Sequence, residues 1–371
     1  MSEIIVKQVM YSHADKELLF QNISFRVPDG SKVALIGNNG SGKSTLLRML
    51  AGDLQPVSGE IIVSEKPYYI PQHMGQFDSW TVAEALQVER KIEALHAILG
   101  GSVDVEFFTI LGDDWDIEER SRSALEYWGL LNVKLGQKMS SLSGGEKTKV
   151  FLAGIQVHSP GVILLDEPTN HLDMKAIAWL ETFLQNYKGA VIIVAHDRYF
   201  LDRIVTKVVE IENHKARMYS GNYSAFAEKK AQIRDAELKA WMNQQQEIKH
   251  QEAVIEKLRS FNREKSIKRA ESREKMLDKM TPVEKPMELH TDMHLTLEPS
   301  CVSGNDVLIV EHLSKAFPPQ ILFENVSFEI KRGEHVAIIG DNGTGKTTIL
   351  KILNQVLKAD SGSFRLGSNV K

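Results

Sequence analysis

One nine-residue stretch constrains this chain more than any other: residues 37–45 read Gly-Asn-Asn-Gly-Ser-Gly-Lys-Ser-Thr. The stretch fits the pattern G-x-x-x-x-G-K-[ST] of a phosphate-binding loop, or P-loop. The apolar run 33–36 before it predicts a buried strand, and the stretch Leu-Leu-Arg-Met-Leu at 46–50 after it predicts a helix. Because glycines let backbone N–H groups turn toward a triphosphate at a helix N-terminus, this context favours nucleotide binding over an ordinary surface turn.

The P-loop pattern also assigns a role to individual side chains. Lys43 is expected to reach the β- and γ-phosphates, and the Ser44 hydroxyl is expected to bind Mg²⁺. The candidate nucleotide-binding residues are Gly37, Asn38, Asn39, Gly40, Ser41, Gly42, Lys43, Ser44 and Thr45.

The same motif occurs a second time. Residues 22–59 align without a gap on residues 325–362 at an offset of 303, with 18 of 38 positions identical. A period this long indicates a duplicated domain and not a solenoid, whose repeats run about 20–50 residues. Thr347 is the second candidate for Mg²⁺. The second set of candidate nucleotide-binding residues is Gly340, Asp341, Asn342, Gly343, Thr344, Gly345, Lys346, Thr347 and Thr348.

The composition is that of a globular protein: of 371 residues, 42% are hydrophobic and 25% are charged. This length leaves room for two or three domains. The apolar runs at 162–165 and 191–195 hold four and five residues, well below the roughly 18 needed to span a bilayer. Residues 1–4 lack the pattern of a signal peptide, and Cys301 is the only cysteine. We therefore expect a cytoplasmic protein with a reduced thiol.

Two further positions in the first copy are candidates for nucleotide contact. An aromatic ring near residue 11 could stack on adenine through its π-face, and the spacing does not choose between Tyr11 and His13; Phe317 lies in the comparable stretch of the second copy. Gln72 follows a predicted strand, and its carbonyl oxygen could reach a metal ion and the attacking water. Residues 80–132 have helical periodicity and predict a small helical subdomain.

A second glycine-containing motif begins a helix. Ser143 is a plausible N-cap with Glu146 as its capping-box partner, which a well-capped helix alone would explain. The two glycines, however, leave bare N–H groups at a helix N-terminus, which is an anion site. The residues of this motif are Leu142, Ser143, Gly144, Gly145 and Glu146.

Two carboxylate residues, Asp166 and Glu167, directly follow the apolar run 162–165. Adjacent buried carboxylates are costly without a cation, so Asp166 is expected to support Mg²⁺ and Glu167 to polarise a water. Asp173 follows in a polar turn. His196 comes directly after the apolar run 191–195, which would place it at the same sheet edge as the P-loop and the carboxylates.

The order of these motifs resembles the nucleotide-binding domain of the ATP-binding cassette superfamily: P-loop, Gln72, signature 142–146, Asp166-Glu167, the D-loop residue Asp173 and the switch histidine His196. The resemblance covers residues 3–212. It implies that two such domains bind two ATP molecules between them, head to tail, so that each signature contacts the γ-phosphate held by the other domain. It also implies Glu167 as general base and His196 as γ-phosphate sensor.

Three longer stretches look like the ABC-F family, soluble tandem ATPases that act on ribosomes. They are Asp-Glu-Pro-Thr-Asn-His-Leu-Asp at 166–173, Ala-His-Asp-Arg-Tyr-Phe-Leu at 195–201 and Gly-Asn-Tyr-Ser at 221–224. In that family a helical hairpin linker between the two domains reaches toward tRNA on the ribosome. The resemblance implies a translation factor or a protein that protects ribosomes from antibiotics.

The linker pattern supports the same interpretation independently. Residues 226–280 contain no Pro or Gly, and apolar residues at spacings of three and seven predict two antiparallel helices with a break near Asn262. Residues 257–279 hold nine Lys/Arg and four Asp/Glu, a net +5 in a chain of net −4. A solvated helix would explain this, but a basic hairpin tip is also suited to RNA phosphates. The candidate RNA contacts are Arg259, Arg263, Lys265, Lys268 and Arg269.

The predicted organisation is an α/β P-loop cassette with a helical subdomain (1–220), a helical hairpin (221–282), a tether (283–306) and part of a second cassette (307–371). Projecting the first cassette by the offset of 303 would put a full second cassette near residue 523, so the second Gln, signature, carboxylates and histidine are not in this sequence. In the chain as given, Lys346 and Thr347 could face Ser143 and Gly145. Two other functions are compatible with these motifs: the ATPase subunit of a membrane transporter and a DNA-repair ATPase. No stable membrane partner is expected.

Overall fold

The computed structural model describes residues 2–12, 18–260, 264–280, 302–318 and 320–370. His13, Arg263 and Cys301 lie outside these ranges, as does most of the predicted tether. The chain forms two compact units, residues 1–223 together with 298–371, and residues 224–297.

Among the described residues, the first unit contains twelve strands, nine α-helices and two short 3₁₀ helices. The second unit contains two α-helices, the first of which begins at the boundary between the units. The strands are β1 (Ile4–Ser12), β2 (Leu18–Val27), β3 (Lys32–Gly37), β4 (Ser58–Val63), β5 (Tyr68–Ile70), β6 (Val162–Asp166), β7 (Ala190–Val194), β8 (Lys207–Glu212), β9 (Lys215–Ser220), β10 (Asp306–Phe317), β11 (Gln320–Lys331) and β12 (Ser361–Leu366). The helices are α1 (Lys43–Ala51), α2 (Val82–Ala85), α3 (Glu89–Leu99), α4 (Val105–Leu111), α5 (Ile117–Tyr127), α6 (Gly144–His158), α7 (Met174–Asn186), α8 (Arg198–Ile204), α9 (Tyr223–Ser260), α10 (Glu264–Asp278) and α11 (Lys346–Leu353), of which α9 and α10 make up the hairpin.

The central sheet has six strands in the order β5-β6-β7-β3-β8-β9. Its first five strands are parallel, and β9 pairs antiparallel with β8. Every residue of β6 and β7 is buried, as expected for parallel strands covered on both faces. The carboxyl ends of β3, β6 and β7 meet at one edge, which confirms that the P-loop, Asp166 and His196 share this edge.

A smaller antiparallel sheet, β2-β1-β4, is repeated by β11-β10-β12 in the second copy. In each copy the middle strand has a bulge, at Gln8 and at His312, where φ is +47° and +52°. Gly59 and Gly362 pass directly over these bulges, so a Cβ there would lie 2.4 Å and 2.3 Å from the carbonyl oxygens of the bulge residues. The two copies therefore share backbone geometry as well as sequence.

The two copies differ at the strand before the P-loop. In the first copy β3 lies between β7 and β8, and Val33 is fully buried. In the second copy the corresponding residues 334–341 form no strand, and Val336 and Ile339 are 56% and 77% exposed. The apolar residues that precede the second P-loop therefore stay exposed, because no neighbouring strands cover them among the described residues.

The second unit contains helices α9 and α10, whose facing positions are in contact. Arg259 lies 2.8 Å from Glu274, and Arg273 donates a hydrogen bond to Gln251. Both contacts join a side chain of α9 to a side chain of α10. Ile255 and Ala270 are buried. Both predicted helices are present, since α9 ends at Ser260 and α10 begins at Glu264. Among the described residues, no helix is both long and apolar enough to cross a membrane.

Candidate functional site

The P-loop of the first copy connects β3 to α1, as predicted. Gly42 forms the N-cap of α1 with φ +92°, and a Cβ there would lie 2.6 Å from the side chains of Leu19 and Phe20. Only glycine fits this combination of a positive φ and close packing. The Lys43 ammonium donates hydrogen bonds of 2.9 Å and 3.0 Å to the carbonyls of Gly37 and Asn38.

A cavity of about 450 Å³ lies at this sheet edge and brings the first copy's motifs together. Its walls include the P-loop, the end of β6 and the second residue after each of β5 and β7. The lining residues are Leu19, Asn39, Gly40, Gly42, Lys43, Ser44, Thr45, Gln72, Asp166, Glu167, Val194 and His196. The predicted metal candidates of this copy, Ser44, Gln72 and Asp166, therefore line one cavity.

The two carboxylates in this cavity are buried and incompletely paired. Asp166 and Glu167 are 3% and 6% exposed, and one oxygen of each, Oδ1 and Oε1, has no hydrogen-bond partner among the described residues. Burial raises the pKa of Asp166, against a smaller opposing effect of a hydrogen bond from Ser44. Burial also raises the pKa of Glu167, which His196 partly opposes. Buried carboxylate oxygens of this kind are suited to a bound cation.

The donors at this site fit Mg²⁺ bound together with a nucleotide. Mg²⁺ takes oxygen ligands and usually combines one or two carboxylates with phosphate oxygens and water. Ser44, Gln72 and Asp166 supply such oxygens. The described residues contain no group of three or more His, Cys, Asp or Glu side chains that could hold a metal ion by themselves, so phosphate oxygens would have to complete the coordination.

Glu167 and His196 form the polar end of the cavity. The imidazole Nε2 of His196 lies 3.4 Å from Glu167 Oε1, and its backbone N–H donates a 3.2 Å hydrogen bond to Oε2. Glu167 has φ +53°, a conformation that costs free energy in a non-glycine residue and is common at functional sites. This uncommon backbone conformation therefore lies in the wall of the cavity.

The signature residues 142–146 lie away from this first cavity. The predicted capping box is present, because Ser143 Oγ accepts the Glu146 N–H and Glu146 Oε2 accepts the Ser143 N–H. A Cβ at Gly145 would lie 2.5 Å from the carbonyl oxygen of His171 and 2.6 Å from Nδ2 of Asn342. The N-terminus of α6 is therefore packed against the second P-loop.

The second P-loop repeats the geometry of the first. Gly345 forms the N-cap of α11 with φ +94°, and the Lys346 ammonium donates 2.7 Å hydrogen bonds to the carbonyls of Gly340 and Asp341. Asp341 also pairs with Lys175 at 2.7 Å. Asp173 caps α7 and accepts a hydrogen bond from the backbone of Asn342. The D-loop residue thus lies beside the second P-loop.

The remaining candidate residues do not line the first cavity. Tyr11 is half-buried, with its ring 6.5 Å from that of Phe20, and it does not line the first cavity, where Leu19 lies instead. Stacking by Tyr11 stays a prediction. Phe317 is 49% exposed. Of the linker candidates, Arg269 is exposed, Arg259 is paired with Glu274, and the side chains of Lys265 and Lys268 lie outside the described residues.

Sequence reasoning missed Lys149, which lies on α6 with its ammonium 3.6 Å from the carboxylate of Asp173. The Lys149 and Asp173 side chains are 15% and 9% exposed. The available signal was a lysine within the apolar part of a helix, because a buried lysine normally needs a carboxylate partner. This pair connects the signature helix to the D-loop.

Comparison with known proteins identifies the family. A sequence model described as ABC transporter matches residues 20–170 and again 323–370, and a second model of the same description matches residues 209–296. The chain is 36% identical to putative ATP-binding protein YdiF of Bacillus subtilis, over 95% of this chain and 58% of YdiF. It is 33% identical to ABC transporter F family member 2 of Arabidopsis thaliana, over 95% of this chain and 55% of that protein.

A third relative is the energy-dependent translational throttle protein EttA of Escherichia coli, which is 30% identical over 96% of this chain and 67% of EttA. The fold, the paired P-loops and these matches define an ATP-binding cassette protein with an α/β core, a long helical linker and a second, partial cassette region. The chain belongs to the ABC-F family of ATP-binding proteins. It spans little more than half the length of YdiF and of the Arabidopsis relative.

Proposed function

We propose that this protein hydrolyses ATP with Mg²⁺ and couples the reaction to a step on the ribosome. The observation that carries the enzymatic part is the first cavity, where Lys43, Ser44, Asp166, Glu167 and His196 converge. In this proposal Lys43 and the P-loop N–H groups bind the phosphates, and Ser44, Gln72 and Asp166 hold the metal ion. Mg²⁺, when bound, supplies charge stabilisation at the transferring phosphoryl group.

Glu167 acts in this proposal as the general base. Glu167 lines the cavity, its oxygen Oε1 makes no hydrogen bond among the described residues, and its raised pKa brings its basicity closer to neutral pH. The backbone N–H of His196 holds the carboxylate, and in this proposal the His196 side chain contacts the γ-phosphate. Removing a proton from water while the surrounding groups hold the phosphates is the main chemistry that these residues need to supply.

The proposal further assigns the two ATP sites to pairs of cassettes arranged head to tail. Gly145 at the N-terminus of α6 supports this assignment, because it packs directly against Asn342 of the second P-loop. Ser143 and the free N–H groups at this helix end would bind the γ-phosphate held by Lys346 and Thr347. The signature of one cassette thus completes the site that begins in the other.

The ribosomal part of the proposal rests on the linker and on EttA, whose name describes a translational throttle. Residues 257–279 carry a net +5, so the remainder of the chain carries −9. An acidic protein with its positive charge at a hairpin tip would contact tRNA or rRNA through that tip. Such a protein acts in the cytoplasm as a translation factor or in antibiotic resistance by ribosome protection.

Co-sedimentation tests the ribosomal assignment directly. The protein is centrifuged with purified ribosomes at increasing salt concentration, and in parallel its binding to free duplex DNA is measured at the same salt concentrations. We expect ATP-dependent sedimentation with ribosomes that weakens as salt rises, together with weaker binding to DNA. Stronger binding to duplex DNA than to ribosomes would favour a DNA-repair ATPase, and absence of ribosome binding would exclude the proposed partner.

A further inference from the structure

A groove in the helical subdomain is separate from both P-loops. It encloses about 740 Å³ between helices α3 and α5 and the segment 130–136. Ile92 and Leu125 form its floor, and Leu131, Val133 and Leu135 line one wall at alternate positions. Leu131 is 74% exposed. An apolar groove of this size can accept two or three side chains from one face of a helix.

Three carboxylates border this groove without a cation. Glu89 and Glu93 lie one turn apart on α3, where like charges repel each other, and Glu126 lies opposite on α5. None of the three has an ion pair within 4.0 Å among the described residues. Burial raises the pKa of Glu89, and the neighbouring carboxylates of Glu84 and Glu93 raise it further, against smaller opposing effects of Lys138 and of a hydrogen bond with Thr81. These carboxylates would attract positive charge from a partner.

The groove lining contains one more carboxylate, Glu118, which already has partners, and few positive charges. Glu118 lies 2.8 Å from His96 and 2.6 Å from Arg122, and Lys134 is the remaining cation in the lining. The lining therefore carries four carboxylates against two permanent cations. Residues 89–126 as a whole contain ten Asp/Glu and four Lys/Arg, a net −6. This field repels phosphates and attracts cationic segments.

We propose that this groove binds a basic amphipathic helix of a protein partner. The apolar side chains of that helix enter between α3 and α5 beside Leu131. Its Lys and Arg side chains pair with Glu89, Glu93 and Glu126. The proposal concerns a surface that does not line the first ATP cavity, and its test needs neither ATP nor ribosomes.

Fluorescence anisotropy with a labelled peptide tests the proposal. The probe is an 18-residue peptide of Lys and Leu with leucines at helical spacings of three and four, and the control peptide has the same composition with the leucines scattered around the helix. The parent chain should bind the amphipathic peptide more tightly. Glu89→Gln, Glu93→Gln and Glu126→Gln together should lower its affinity roughly tenfold, and Leu131→Ser should lower it roughly fivefold.

Matched variants and cross-linking make the result decisive. Glu106→Gln, Asp113→Asn and Glu119→Gln remove the same charge from the same subdomain outside the groove and should change the affinity less than twofold. A benzophenone in the peptide should cross-link to residues 89–96 or 125–136. No binding to the parent, equal losses in both charge variants, or cross-links elsewhere would overturn the proposal. Weaker binding of an 18-nucleotide oligouridylate to the groove variant would also overturn it, because it would assign the groove to RNA.

Discussion

The side-chain amide of Asn342 donates a 2.6 Å hydrogen bond to the backbone carbonyl of His171. Asn342 belongs to the second P-loop, and His171 lies in the turn that joins Glu167 to α7. The neighbouring residue Asp173 contacts the backbone of Asn342 and also pairs with Lys149 of the signature helix. One turn therefore contacts the carboxylates of the first site, the signature helix and the phosphate-binding loop of the second site.

Lys149→Met should lower the free energy of unfolding by about 2 kcal/mol, because it leaves the Asp173 carboxylate, 9% exposed, without its cation. The control is Lys147→Met on the same helix. Its partner Asp78 is 48% exposed, so water replaces the ammonium and the cost should be about 1 kcal/mol or less. Urea unfolding of the two variants measures the difference. Equal costs would show that Asp173 does not depend on Lys149.

Glu167→Gln should retain ATP binding and lose most ATP hydrolysis, because the amide keeps the shape of the side chain but cannot take up a proton from water. Lys43→Ala should instead weaken ATP binding itself, since it removes the ammonium at the P-loop. Binding of a fluorescent ATP analogue and phosphate release are measured for the parent and both variants at the same protein concentration. If Glu167→Gln hydrolysed ATP at the rate of the parent, the general base would have to be another residue.

The same two carboxylates should destabilise the nucleotide-free fold. Their pKa values are raised in the folded state, so the folded chain holds these protons more tightly than the unfolded chain. Ionisation therefore costs stability as pH rises from the unfolded pKa through the higher folded pKa. Asp166→Asn and Glu167→Gln should each stabilise the protein by about 1 kcal/mol at neutral pH.

Thermal unfolding from neutral to acidic pH tests this sign. The advantage of each amide variant should shrink as pH falls through the raised pKa of the folded state, and it should vanish below the unfolded pKa of about 4, where the carboxyl is protonated in both states. The exposed control Glu60→Gln should show no such trend. An advantage that grows on acidification would contradict the assigned direction of the pKa shifts.

Local sequence patterns predicted the elements that form the first site. The strand, loop and helix at 33–50 and the capping box of Ser143 depend on neighbouring residues and are confirmed. The meeting of Asp166 and His196 was predictable because parallel strands end at one sheet edge. The pairing of Lys149 with Asp173 was not, because it depends on how α6 and the D-loop pack, which no sequence spacing records.

The contact between the two copies was predictable only in part. The family resemblance implied that the second P-loop faces the signature, but it did not indicate that the Asn342 side chain makes the contact with His171. The groove between α3 and α5 was also not predicted. Its acidic residues are spread over α3 and α5, and only the fold brings Glu89 and Glu126 to one opening.

Removing the linker charges should weaken ribosome binding and flatten its salt dependence, because fewer phosphates are neutralised. The changes are Ala or Gln in place of Arg259, Arg263, Lys265, Lys268 and Arg269. ATP hydrolysis without ribosomes should change little. The control removes five other positive charges, at Lys66, Lys188, Lys229, Lys239 and Lys249, and should retain ribosome binding. Equal sedimentation of both variants across the salt series would show that the charged residues of the tip face solvent and do not contact RNA.

The last prediction concerns cooperation between cassettes in the chain of 371 residues. Its sequence contains two P-loops but one signature, residues 142–146, and one pair of strand-end carboxylates, Asp166 and Glu167. Within one chain the signature faces Asn342, and that second site contains no carboxylate pair among the described residues. The first site contains the carboxylates, but no signature faces it within the chain. A single copy of this chain should therefore bind ATP weakly and hydrolyse it slowly.

Two copies of the chain could supply the missing signature to each other's first site. Hydrolysis per molecule should then rise with protein concentration, and Ser143→Arg should abolish the rise because it blocks the donated signature. Phosphate release measured across a dilution series tests both expectations, with Ser141→Arg, two residues before the signature serine, as the matched control. A high rate per molecule that is independent of concentration and insensitive to Ser143→Arg would contradict composite sites, because it would require one cassette to hydrolyse ATP without a partner's signature.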